Sequence, residues 1–192
     1  DKLSKMGIAG IEFEPTVKRV YPNQSLASQV LGAINDENKG LLGLELYYED
    51  ILQGENGSIQ RERARDGSYI AGGAYTKVPA KNGTDIMTSL DITIQKAAEE
   101  AIAKAVEDTG AKYGSAVAID PITGEIFAAC SYPTFDQENL AEAKSENMNL
   151  RIVTDAYEPG SVFKTFVVGG ALEDGVITTD TVFNVPDRKS VV

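Results

Sequence analysis

Two side chains three positions apart, Ser161 and Lys164, are of types and spacing that suit covalent acyl-transfer chemistry. They lie in Tyr157-Glu158-Pro159-Gly160-Ser161-Val162-Phe163-Lys164, where Pro159-Gly160 breaks the chain and an apolar run through about Leu172 predicts a helix. With Ser161 at the helix start, Lys164 falls one turn later on the same face, within hydrogen-bond reach of the serine hydroxyl. The sequence contains no histidine, which excludes Ser-His-Asp and Cys-His sets and leaves a serine nucleophile in need of another base. Val162, Phe163, Phe166, Val167 and Leu172 cover much of the helix circumference and predict burial. Burial disfavours a charged amine, so a neutral Lys164 could take the serine proton. The backbone N–H of Ser161, at the positive end of the helix, would point to where an acyl oxyanion develops. By itself S-x-x-K is a short pattern, and a helix-capping serine followed by a surface lysine fits it too.

The elements that position this pair can be read upstream. Residues 86–90 form an extended apolar stretch, and Asp91 is placed to cap a helix predicted over residues 92–108. Ile94, Ala97, Ala98, Ala101, Ile102 and Ala105 make its apolar face, expected to pack on a sheet, with Glu100 and Lys104 four apart on the other side. Residues 115–119 and 125–129 read as strands joined by the turn Asp120-Pro121-Ile122-Thr123-Gly124. Before residue 80 the elements are shorter. A helix is expected over residues 25–34, a second over 44–52 ending at Gly54, and a hairpin at Asp66-Gly67 after the alternating residues 59–65. Arg61, Arg63 and Arg65 share one face of that strand, a solvated or ion-paired surface.

Composition closes off other classes of function. A net charge of −11 and no dense basic cluster argue against nucleic acid. No run of about 18 apolar residues occurs, and residues 1–20 lack a signal-peptide layout. A single cysteine, Cys130, removes intrachain disulfides, and within Ile126-Phe127-Ala128-Ala129-Cys130 it reads as a buried small hydrophobe. Neither a cofactor nor a metal site is expected, the carboxylates Asp136, Glu138, Glu142 and Glu146 of the polar stretch 136–149 reading as solvated.

Several segments, in order, resemble the class B, monofunctional penicillin-binding proteins. Arg19-Val20-Tyr21-Pro22, Leu31-Gly32, Gly40-Leu41-Leu42-Gly43-Leu44-Glu45 and Leu52-Gln53-Gly54-Glu55-Asn56-Gly57 look like motifs of the N-terminal pedestal domain. Ser89-Leu90-Asp91-Ile92-Thr93-Ile94-Gln95 resembles the entry into the transpeptidase domain. Residues 118–126, followed by Ser131-Tyr132-Pro133-Thr134-Phe135-Asp136, resemble the hairpin and exit loop that come next. The S-x-x-K of Ser161 and Lys164 then falls where that family carries its nucleophile motif. The resemblance implies an α+β fold: a small pedestal over residues 1–80, and over 81–192 the first part of a domain in which helices pack an antiparallel sheet. It implies that Ser161 is the acylated serine and Lys164 its proton acceptor in a peptidoglycan D,D-transpeptidase, with stem peptides and β-lactams as partners. Arg19, Glu45 and the glycines around them read as bracing this pedestal through an ion pair and tight turns rather than as binding a ligand. An N-terminal membrane anchor outside the chain, an extracytoplasmic location, and a membrane glycosyltransferase with division or elongation proteins as partners belong to the same expectation.

The chain departs from the family pattern after Lys164, where neither S-x-N nor K-[ST]-G follows. Ser145-Glu146-Asn147 precedes the nucleophile, and Lys189-Ser190-Val191 lacks the glycine. The 192-residue piece is therefore expected to be inactive alone and mobile after residue 175. Two alternatives stand: an interaction module that docks envelope-assembly partners, and a β-lactam sensor or lysine-dependent β-lactamase sharing S-x-x-K.

Overall fold

The computed structural model describes residues 5, 6, 8 and 18–183, which divide into two compact units, Asp1–Thr154 and Asp155–Val192. In the first, α1 (Ser28–Leu31) leads into β1 (Ala33–Ile34), which pairs antiparallel with β2 (Gly40–Leu42). Two short helices follow, α2 (Gly43–Tyr47) and α3 (Glu49–Leu52), broken at Tyr48 where a single helix was expected. The helix expected over residues 25–34 is confined to α1. Gln24 and Ala27 have positive φ before it, and Gly32, at φ 86°, closes it and turns Ile34 into a strand. Gly32 is required there, because a Cβ would lie 1.8 Å from the Leu42 carbonyl oxygen. The Arg19–Glu45 ion pair is formed at 2.7 Å, with the Glu45 side chain buried and Arg19 half exposed.

The hairpin of β3 (Ser58–Arg61) and β4 (Tyr75–Val78) is antiparallel and exposed throughout. At its predicted turn Asp66 accepts hydrogen bonds from the Ser68 N–H (2.9 Å) and hydroxyl (2.6 Å), and Gly67 takes φ 85°. Arg61 lies over the rings of Tyr69 and Tyr75, and Arg63 over Tyr69, so the arginine-bearing face is self-stacked.

The longest helix, α4 (Ile92–Thr109), starts where its cap requires. Asp91 Oδ1 accepts from the Thr93 and Ile94 N–H groups at 2.8 and 2.9 Å, and Gly110 ends the helix at φ 66°. It packs on the antiparallel pair β5 (Gly114–Ile119) and β6 (Ile126–Tyr132), joined by the predicted turn. In that turn Asp120 Oδ1 accepts from Ile122 and Thr123, and Gly124 has φ 77°. The core of this unit is small: among the described residues, Ala27, Ala33, Val106, Ala128, Ala129, Cys130 and Phe135 are its buried apolar members.

The predicted sheet-facing stripe of α4 needs correction. Ile94, Ala97, Ala101 and Ala105 are exposed, and the packed stripe is Gln95, Ala98, Glu99, Ile102, Ala103 and Val106. Hydropathy favoured Ile94 over Gln95, but Gln95 is buried with its amide fully used, which removes the penalty for burying it. On the exposed side the ion pairs are Lys96–Glu100 and Lys104–Asp108.

Candidate active site

The second unit carries the candidate nucleophile. Gly160 at φ 58° redirects the chain after Pro159, and a 3-10 turn, Gly160–Phe163, runs directly into α5 (Lys164–Glu173). The helix thus begins where the sequence predicts, with its first turn wound more tightly. In a 3-10 turn side chains at i and i+3 eclipse, so Ser161 and Lys164 share one face. The Lys164 N–H donates to the Ser161 carbonyl, locking that register. Among the described residues no hydrogen bond joins the Ser161 hydroxyl to the Lys164 amine, and both side chains are exposed. The Ser161 N–H lies in the first turn, where no carbonyl of the helix itself reaches it.

Burial of this helix, expected from its composition, is not present. Val162 is 71% exposed, Phe166 73% and Val167 60%, and the Phe163 ring lies by that of Phe166, with centroids 5.9 Å apart. Among the described residues of its own unit the helix meets little beyond the preceding turn, so most of its apolar circumference is left uncovered. Gly169 and Gly170 in its interior likewise face open space.

In the first unit, the other features singled out in the sequence occupy structural positions. Ser145-Glu146-Asn147 is a 3-10 turn, as is Leu140–Glu142, so the polar stretch is loop built from tight turns. Lys189-Ser190-Val191 lies outside the described residues. Cys130 is buried on β6, and its thiol is pushed up by burial and by the nearby Glu99 carboxylate.

What the sequence reading missed is a set of buried carboxamides along the outer edge of β6. Gln95 donates to the Ala129 carbonyl (3.0 Å) and accepts from its N–H (2.9 Å), as a paired strand residue would. Gln29 accepts from the Ser131 N–H at 2.8 Å, and the Asp91 N–H donates to the Phe127 carbonyl. These contacts occupy most of the N–H and C=O groups that the edge would otherwise present free. The available signal was positional: Gln95 falls on the stripe 95, 98, 99, 102, 103, 106 at helical spacing.

Comparison with known proteins bears on both units. The family model described as the penicillin-binding protein dimerisation domain matches residues 2–88, and that of the penicillin binding protein transpeptidase domain matches residues 114–191. The "Probable peptidoglycan D,D-transpeptidase PenA" of Neisseria meningitidis serogroup A is 41% identical over 177 residues, covering 91% of this chain and 30% of the relative. Peptidoglycan D,D-transpeptidase FtsI of Escherichia coli is 30% identical over 184 residues, covering 96% of this chain and 31% of that protein. The chain thus spans about a third of the length of the relatives it matches. Among solved structures, penicillin binding protein 3 from Mycobacterium tuberculosis complexed with ampicillin aligns with a TM-score of 0.72 at 30% identity, covering 88% of this chain and 34% of that one.

Proposed function

The chain belongs to the penicillin-binding protein family, and on that premise we propose that the protein it comes from is a class B peptidoglycan D,D-transpeptidase acting through a serine acyl-enzyme. Ser161 Oγ attacks the carbonyl of the D-Ala-D-Ala bond of a stem peptide, while Lys164 Nζ takes the hydroxyl proton. The acyl–serine ester forms, the C–N bond breaks, and the proton passes to the departing D-Ala amine. An amine from a neighbouring stem then attacks the ester, forming the cross-link and restoring the serine. β-Lactams acylate the same hydroxyl.

The observation that carries this reading is the tight turn after Gly160, which stacks Ser161 and Lys164 at the start of a helix that is apolar on every side. A helix hydrophobic all round is a buried helix. Its exposure in this span, and its glycine pair, point to packing against the remainder of a transpeptidase domain, where enclosure would supply the desolvation that keeps Lys164 neutral. A second observation agrees. On β5, Ala116 and Ala118 bond to β6, so Ser115 and Val117 point their backbone groups outward, where they meet no partner among the described residues. That edge suits a further strand of the same sheet.

The pedestal covers residues 1–80 and the transpeptidase domain begins at about 81. No helix of the described residues is long and apolar enough to cross a membrane; the reading places the protein on the extracytoplasmic face, anchored by a segment outside this chain, with a glycosyltransferase and division or elongation proteins as partners. Release of D-Ala from a pentapeptide stem by the full-length protein tests the reading. Both Ser161→Ala and Lys164→Ala should abolish it, and release that survives Ser161→Ala would overturn the assignment.

A further inference from the structure

We propose that Gln29 is a positioning residue for the segment that delivers Ser161, an inference that rests on Ser161 being the nucleophile. Gln29 lies on α1, more than a hundred residues upstream, yet its carboxamide is buried (7% exposed) against three backbone groups of later segments. Its Oε1 accepts from the Ser131 N–H at 2.8 Å, and its Nε2 donates to the Asn147 carbonyl at 2.8 Å and the Pro133 carbonyl at 3.3 Å. It therefore ties the end of β6, the loop that leaves it and the turn at residues 145–147 to one point.

The clasp continues along the chain to Arg151. Ser131, 3% exposed, accepts the Arg151 N–H on its Oγ at 2.9 Å, and the same Oγ lies 2.9 Å from that of Ser115. The Arg151 guanidinium donates to the Glu146 carbonyl and stacks on Tyr113, 4.3 Å from the ring centroid. The short helix Arg151–Thr154 is held at its start by this network, and residues 155–160 are all that separate its end from Ser161.

A carboxamide suits the position by its hydrogen-bond inventory. The site offers one N–H and two carbonyls, and glutamine brings one acceptor oxygen and two N–H donors in a single plane. Glutamate would keep the bond from Ser131 and set a carboxylate against two carbonyls; an apolar residue would leave all three groups unpaired. Gln29 falls in the segment matched by the dimerisation-domain model and its partners in the segment matched by the transpeptidase model. The clasp therefore joins these two segments within the first unit, up to the short helix Arg151–Thr154 at its end.

The test uses the full-length protein and follows acylation by benzylpenicillin across concentrations, separating the acylation rate constant from the dissociation constant of the preceding complex. Gln29→Ala is expected to lower the rate constant at least about ten-fold and leave the dissociation constant within about two-fold, because only the hold on the serine segment is loosened. Hydrogen–deuterium exchange should rise at Ser131 and residues 145–154, with α4 and residues 126–129 unchanged. Gln29→Glu, of the same size, should slow acylation similarly, and it carries the test alone if Gln29→Ala does not fold. Acylation at the wild-type rate overturns the proposal, and so does slow acylation with exchange raised evenly through α4, β5 and β6. Ser161→Ala in parallel separates the two claims. If it is still labelled, the nucleophile assignment fails; if it is silent while the Gln29 variants acylate normally, the role of Gln29 alone fails.

Discussion

Replacing Gln95 by leucine makes the helix–sheet contact more apolar, and a hydropathy argument would expect a gain in stability. The structure predicts a loss. Gln95 is 1% exposed, and its amide exchanges two hydrogen bonds with the Ala129 backbone at 3.0 and 2.9 Å while donating to Glu99 at 2.7 Å. Leucine has nearly the same volume, so little cavity forms, but the Ala129 N–H and C=O are stranded in a buried strand. Each unpaired backbone group costs about 1–3 kcal/mol, so the substitution should destabilise by about 2–6 kcal/mol. Glu99 keeps the bond from the Ala27 N–H, which limits the damage on that side. Against a typical total of about 5–15 kcal/mol this is readily measured. Urea unfolding of the full-length protein gives the difference, and amide exchange at Ala129 should speed up selectively. A Gln95→Leu variant within about 0.5 kcal/mol of wild type, smaller than the cost of even one stranded group, would refute the reasoning that the amide closes this edge.

Other consequences follow from single contacts. Cys130, whose thiol is pushed up by burial and by Glu99, should resist alkylation in the native state at neutral pH and react on unfolding. Removing Arg19 strands the buried Glu45 carboxylate; with Arg19 itself half exposed and solvent-screened, Arg19→Ala should cost about 1–2 kcal/mol in thermal unfolding, and Arg19→Ala with Glu45→Gln should recover part of it. The hydrogen bonds from Ser68, side chain first and then backbone, hold the Asp66 carboxyl below its ordinary range. Its contribution to the hairpin turn is therefore present above the ordinary aspartate value and lost as pH falls through the depressed one, and Ser68→Ala should return the NMR titration of Asp66 toward the ordinary value.

Local rules made much of the scaffold legible. Asp91 and Gly110 bound α4 through cap chemistry, and Asp120 and Gly124 fix the β5–β6 turn, because each acts on backbone groups within a few residues. Where the deciding contact is distant, sequence reading failed. Gln95 and Gln29 reach strand β6 across 34 and 102 residues, and nothing in hydropathy predicts a buried amide there. The helix expected over residues 25–34 was cut short by the positive φ of Ala27 and by Gly32 against Leu42. Ser161 and Lys164 were legible as a pair at a helix start. The enclosure expected around them was not found among the described residues, where the apolar side chains of that helix stay exposed.

The central claim is that Ser161 forms the acyl-enzyme, and intact mass after incubation with benzylpenicillin tests it most directly, on both the 192-residue chain and the full-length protein. The account predicts a stable single-drug adduct on the full-length protein, mapped to the peptide containing Ser161 and absent in Ser161→Ala, with no adduct on the shorter chain. A folded full-length protein that takes up no drug, or one that keeps its adduct in Ser161→Ala, would contradict it.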